Sequence, residues 1–383
     1  MLFHLLYPLH DSAPWLHFLN VLRYVSTRTL LGMLTALGLC LFLGPWFIRQ
    51  LRSMQIGEKV RDDGPVTHKK KAGTPTMGGS LVLLSIVAGT VLWCDLTSPF
   101  IWVTLLVTVG YGAIGFLDDY LKLTRSKQGL PGRIKLLGQF TVAAIAVAYL
   151  LLSNAYEDDT RFRLAFPFVD FYKHRITLGW DFWSSLILYG GLGMFVVAGF
   201  SNAVNLTDGL DGLAIGPVVI AAAALLVLAY GAGAVVADFN VAQYLKIPFI
   251  KGSGELAIFC ASMIGAGVGF LWYNAAPAEV FMGDVGSLSL GGALGMVAVA
   301  TKNEFTLVIL GGLFVIEALS VMLQVAWFKY TKKRFGEGRR IFLMTPIHHH
   351  FEKKGWAETK VVVRFWIIAF ALALAALATL KVR

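Results

Sequence analysis

The chain has 383 residues, of which 57% are hydrophobic and only 15% charged, and its mean hydropathy is +0.68. An ordinary soluble domain carries charge on about a quarter of its residues, so a water-soluble globular protein is excluded. The net charge of +10 is read as membrane topology and contact with anionic lipid, together with attraction for a polyanionic substrate, and not as a nucleic-acid signal.

The apolar residues come in blocks near twenty long, the length that crosses a bilayer core. They predict a single all-α polytopic membrane domain over residues 1–383, with about ten transmembrane helices at roughly 29–48, 77–94, 100–117, 136–152, 183–201, 213–231, 256–273, 288–301, 305–328 and 361–380. The eighth is short, and Lys302-Asn303-Glu304 is a tight turn to the ninth. Residues 1–25 are too broken to span, lack a cleavable signal pattern, and are expected on the membrane surface. Residues 155–180 alternate aromatic and polar side chains and predict a small hairpin. Residues 235–250, interrupted by Asp238, Asn240, Lys246 and Pro248, are expected to form a loop. The three cysteines, Cys40, Cys94 and Cys260, all fall in spans and imply no disulfide framework.

Basic residues set the orientation. The loops at 49–76, 118–135 and 329–360 hold seven, five and nine Lys or Arg, against none, four and two in 95–99, 153–182 and 232–255. The rich side is cytoplasmic. Ten spans then put both termini, and the 155–180 hairpin, on the periplasmic side.

Five polar islands fall on the cytoplasmic face under this topology. They are Lys71 to Gly79 with Thr76; Asp118, Asp119 and Lys122 at the end of the third span; Asn202 to Gly212 between the fifth and sixth; Asn274 with Phe281, Asp284 and Ser287 between the seventh and eighth; and His348, His349 and His350 before the last. Charged groups this close to hydrocarbon cost about 2.5–3.5 kcal/mol each even on a lenient scale, so a metal, ligand or wet cavity must compensate.

Asp118 and Asp119 are adjacent, about 100° apart on a helix, and need not chelate together. Lys122 supplies a cation one turn on. Asn202, Asn205 and Asp208 recur every three residues, so one helix face presents all three. Asp208-Gly and Asp211-Gly are turn dipeptides, and the backbone N–H groups that open the sixth span suit an anion or a nucleotide's polar edge. Asp284, in a glycine-rich turn, suits a hard cation such as Mg²⁺, and Phe281 can stack on a flat ring. Three adjacent imidazoles cannot all reach one metal, so phosphate contact and proton transfer are preferred to zinc. There is no Walker P-loop, Gly-x-Ser-x-Gly or His-Glu-x-x-His. Carboxylates, lysines and histidines on one face suit Mg²⁺-assisted phosphoryl transfer, and the setting suggests a lipid substrate.

The strings from Lys71 to Gly79, Asp118 to Lys122, Asn202 to Gly212, Phe281 to Leu288 and Pro346 to Glu352 together resemble the phospho-N-acetylmuramoyl-pentapeptide-transferase family of the polyprenyl-phosphate sugar-1-phosphate transferases, over essentially the whole chain. The resemblance implies transfer of the phospho-sugar of UDP-N-acetylmuramoyl-pentapeptide to undecaprenyl phosphate in the bacterial inner membrane, giving lipid I and UMP, with Mg²⁺ as cofactor and a homodimer as the assembly. It implies Asp284 as the metal ligand and Asp118 as acceptor of the lipid phosphate's proton, or as nucleophile in a covalent route. Asp119, Lys122, Lys71 and Lys135 would shape the phosphate pocket. Asp208, Asp211 and Phe281 would hold uridine, with Asn202 and Asn205 lining the pocket. Thr76, Asn274 and Ser287 would bind substrate, and His348, His349 and His350 would contact phosphate or sugar. A polyprenyl-phosphate N-acetylglucosamine-1-phosphate transferase is the alternative within this chemistry. A secondary transporter, which would place its carboxylates near mid-bilayer and show repeat symmetry, is the alternative outside it.

Overall fold

The computed structural model describes residues 1–54, 73–124, 129–237 and 239–381. Among these, nine helices are long and apolar enough to cross a membrane: α2 (Val25–Ser53), α4 (Pro99–Thr124), α5 (Gly132–Leu152), α6 (Phe182–Thr207), α7 (Ile215–Gly233), α9 (Gly254–Asn274), α10 (Gly283–Ala300), α12 (Gly312–Phe335) and α14 (Glu358–Ala378). A shorter apolar helix, α3 (Gly79–Trp93), takes the place of the second expected span. Short helices α1 (Leu2–Leu6), α8 (Val241–Tyr244), α11 (Glu304–Leu310) and α13 (Ile347–Lys353) complete the set. The protein is an all-α polytopic membrane protein.

Buried α10 forms the axis. Its residues from Val285 to Ala300 are all buried, and it packs on α3, α4, α6 and α7. Its run of Gly, Ala and Ser lets neighbouring backbones approach closely, which is how helices associate where lipid removes the hydrophobic drive. Helices α2 and α9 pack along each other, with α3 and α7 against α9. At the far end from the polar islands, Arg28 of α2 makes a two-pronged ion pair with Glu255 of α9, at 2.7 and 2.8 Å, and Glu255 also accepts the Asp95 N–H.

Three expectations change. The ninth span is broken: α11 and α12 meet at Gly311, where a β-carbon would lie 2.1 Å from the Phe200 ring. The paired glycines Gly311 and Gly312 let the ring of α6 press into the backbone, a common cause of a helix break. Residues 155–180 form turns with a single antiparallel bridge, Arg163 to Thr177, rather than a hairpin. There Asp170 accepts the N–H groups of Tyr172 and Lys173, and such local side-chain bonds compete with a strand ladder. The two-stranded hairpin lies instead in the expected loop, where β1 (Val235–Val236) pairs with β2 (Phe239–Asn240). The N-terminal stretch does not span: after α1 it continues in 3₁₀ turns to Arg23, exposing Trp15 and Phe18.

Candidate active site

Helix α4 runs past its expected end to Thr124 and carries Asp118, Asp119 and Lys122 on its last turns. Asp118 and Asp119 converge, contrary to the divergence expected for neighbours on a helix. With Asp284 they form a group in which one carboxylate oxygen from each lies within 4.8 Å of the others. The first turn of α10 brings Asp284 beside them. This approach needs glycine at position 115 of α4, because a β-carbon there would sit 2.2 Å from the Asp284 carbonyl oxygen.

Two lysines hold the three carboxylates. Lys122 Nζ lies 2.6 Å from Asp118, 3.5 Å from Asp119 and 2.9 Å from Asp284. Lys135, at the start of α5, lies 2.6 Å from Asp284 and 3.5 Å from Asp118. The backbone N–H groups of Leu130 and Val285 donate to Asp118 and Asp119. The clustered oxygen donors fit a hard divalent cation.

The Asn202–Gly212 island does not present one face. Asn202 donates to Gln139 of α5 and to the Ala198 carbonyl. Asn205 donates to Asp284 at 2.9 Å and to Ser287 at 2.8 Å, so it joins the carboxylate cluster. Asp208 caps the end of α6 with a non-helical ψ of 59°, which takes it off the helical face. Buried Asp211 accepts the Ala278 N–H. The N–H groups expected to meet an anion are engaged inside the protein: Asp211 N–H donates to Glu358, and Gly212 N–H to Asn274. Asn274 also donates to the Val280 carbonyl, and so ties the island to the turn before α10. Phe281 N–H donates to Pro75, while Gly78 and Gly79 donate to Phe281 and Met282. That pairing joins the segment bearing Thr76 to the Asp284 turn. Ser287 is buried and donates to the Gly283 carbonyl.

The histidine run begins α13. His348 is 0% exposed, with Nδ1 3.1 Å from Glu317 of α12, which is itself 0% exposed. The expectation that His348 touches phosphate or sugar gives way to a buried contact. His349 pairs with Glu352 at 2.6 Å. His350 accepts the Leu343 N–H through Nδ1, and burial, followed by nearby Lys354, lowers its pKa from the ordinary value. Lys71 lies outside the described residues.

Sequence reading passed over Gln139, Glu317 and Glu358. Gln139 and Glu317 are isolated polar residues in apolar runs, and Glu358 opens the last span beside Thr359 and Lys360. Glu317 sits inside the expected ninth span, and an ionisable group there was the available signal.

The model of glycosyl transferase family 4 matches residues 101–302. Curated relatives aligned over the full length of both chains include phospho-N-acetylmuramoyl-pentapeptide-transferases of Sorangium cellulosum, at 57% identity, Syntrophus aciditrophicus, at 50%, and Anaeromyxobacter sp. strain K, at 52%. With this identity over its whole length, and with the family model covering more than half of it, the chain belongs to the phospho-N-acetylmuramoyl-pentapeptide-transferase family.

Proposed function

We propose that Asp118, Asp119, Lys122, Lys135 and Asp284 carry out the transfer after which this family is named, moving phospho-N-acetylmuramoyl-pentapeptide from its UDP conjugate to undecaprenyl phosphate. A lipid phosphate oxygen attacks the sugar-bearing phosphorus. The bond to the other phosphate breaks, UMP leaves with its electron pair, and the product is lipid I. The observation that carries the reading is the convergence of the three aspartates and two lysines, because phosphoryl transfer is achieved mainly by positioning and charge neutralisation.

In this reading Asp118 takes the proton of the lipid phosphate, and Lys122 and Lys135 turn from the carboxylates to the incoming phosphates. Asp119 shapes the pocket from the α10 side. Asp284 is the ligand for Mg²⁺, oriented by Asn205, with Asp118 and Asp119 near enough to share it. When bound, the ion neutralises charge on the donor diphosphate. The island, through Asp208 and Asp211, and Phe281 hold the uridine. Thr76, His349 and His350 line the surrounding surface, and Lys71 adds a further cation. Asn202, Asn274 and Ser287 support these groups from beneath. The site faces the cytoplasm of a bacterial inner membrane, supported by the basic loops on that face, with both termini periplasmic. The assembly is a homodimer, tested by cross-linking in native membranes.

The decisive experiment measures UMP release from UDP-N-acetylmuramoyl-pentapeptide and, separately, from UDP-N-acetylglucosamine, each with undecaprenyl phosphate and Mg²⁺. Release from the first donor alone is expected; release from the second alone overturns the substrate assignment. Asp284→Asn should abolish turnover and also the loss of free Mn²⁺ signal that wild-type protein causes in electron paramagnetic resonance. Wild-type values would remove the metal assignment. A phosphorylated protein isolated after donor alone would replace direct attack by a covalent route.

A further inference from the structure

We infer that Glu317 is a positioning residue for the nucleotide-binding half of the site, acting through His348 on the Asp208–Asp211 segment. This rests on the reading of that segment as the seat of the nucleotide.

Glu317 lies inside a membrane-spanning helix, where a carboxylate is costly unless it has a purpose and a partner. Its partner is His348 Nδ1 at 3.1 Å, and both side chains are 0% exposed. Each keeps one further buried polar atom without a partner, Glu317 Oε2 and His348 Nε2. A pair kept for stability alone would do as well as two apolar side chains of similar size. The contact instead fixes the plane of the imidazole, since a carboxylate on one ring nitrogen sets which way the ring faces.

That plane matters because of Gly209. A β-carbon at position 209 would lie 2.4 Å from His348 Nε2 and 3.0 Å from Cε1. The ring therefore fills the space a side chain at 209 would occupy, and backs the chain between Asp208 and Asp211. Neighbouring Leu210 and Leu213 pack with Leu313 of α12 and with Val361 and Phe365 of α14. The following half of the island is gripped separately, by Glu358, Asn274 and Trp366. Glu317 and His348 thus form one of two clamps on the loop. They lie behind it and do not face the substrate.

The test measures UDP affinity in the presence of Mg²⁺, together with KM for each substrate, in purified full-length protein. Glu317→Leu removes the acceptor and should weaken UDP binding about tenfold and raise the donor KM similarly; in a His348→Ala background it should add less than about twofold, because coupled residues are non-additive. KM for undecaprenyl phosphate should not change. Glu317→Gln, which retains an acceptor oxygen, should restore most of the affinity. Gly209→Ala should weaken UDP binding on its own and should be relieved by His348→Ala, which vacates the space. If Glu317→Leu does not yield folded protein, the Gly209 and His348 pair decides.

Independent, multiplying losses from Glu317 and His348, or Gly209→Ala made no better by His348→Ala, would overturn the proposal. So would a lowered melting temperature with unchanged UDP affinity. Asp211→Asn separates the two readings. If it binds UDP like the wild type, the nucleotide seat is elsewhere. If it binds weakly while Glu317→Leu binds normally, only the positioning role falls.

Discussion

Lys135 Nζ lies 2.6 Å from Asp284 Oδ2 across 149 residues of sequence, and 3.5 Å from Asp118 Oδ2. One ammonium therefore bridges carboxylates from two different helices. Lys135→Met keeps the length of the side chain but removes its charge, and is expected to lower the rate of UMP release about a hundredfold, the scale of losing one preorganised charged donor. Lys135→Arg retains the charge in a different shape and should fall between. Steady-state UMP release at saturating donor and lipid phosphate measures both.

Asn205 orients Asp284 by donating to the carboxylate oxygen that the lysines leave open, and donates also to Ser287. Asn205→Ala should reduce turnover about tenfold, equivalent to losing roughly 1.4 kcal/mol from a hydrogen bond to a charged group. Asn205→Asp should be worse, because it sets a fourth carboxylate against the cluster. UMP release for the two variants side by side checks the order. An aspartate variant as active as the alanine variant would contradict it.

The Arg28–Glu255 pair is a stability element. Arg28→Met leaves Glu255 buried with only the Asp95 N–H and should cost about 3–5 kcal/mol, the usual effect of removing one partner of a buried pair. The double variant Arg28→Met, Glu255→Leu should recover much of that loss. Thermal unfolding in detergent measures both. UMP release below the melting point should stay close to wild type, because Glu255 opens α9 about 28 Å from the end that carries Asn274, at 1.5 Å per residue.

His350 makes the protein less stable in mild acid. Its pKa is lowered by burial first and by Lys354 second, from the ordinary histidine value of about 6.5, so the folded state disfavours the proton. Above that value the group is neutral folded and unfolded and contributes no pH dependence. As the pH falls through it, the unfolded chain takes the proton first and stability declines, levelling once the pH passes below the folded pKa. Protonation also ends the bond from Leu343 N–H to Nδ1. Melting temperature and exchange of the Leu343 amide, followed between about pH 5 and 7.5, should show this decline, and His350→Gln should flatten it.

How far the site was legible in the sequence differs from residue to residue. Asp118, Asp119, Lys122 and Asp284 stood out because charge beside long apolar runs is expensive, Asn205 stood out by its spacing, and Lys135 came with the resemblance. Their mutual geometry did not follow, because it depends on the entry of a third carboxylate from α10, far along the chain. That entry depends on Gly115, a residue with no side chain to advertise it. His348 was conspicuous as one of three histidines, yet its depth was hidden, since its burial depends on Glu317, 31 residues earlier. Asn202, Asn205 and Asp208 share a spacing that suggests one face, but the helix ends at Thr207 and the third residue leaves it.

By itself the sequence determined the membrane class, nearly all of the spans and the family. Apolar block length and charge scarcity are properties of composition, which need no knowledge of packing. The tertiary structure decided which polar groups meet one another and which lie behind the site. It also decided where the ninth span breaks. These follow from close contacts between helices distant in sequence: Gly115 on Asp284, Gly311 on Phe200 and Gly209 on His348. Such contacts are steric, set by the absence of a β-carbon at one point and the bulk of a partner far along the chain, and no local pattern encodes both at once.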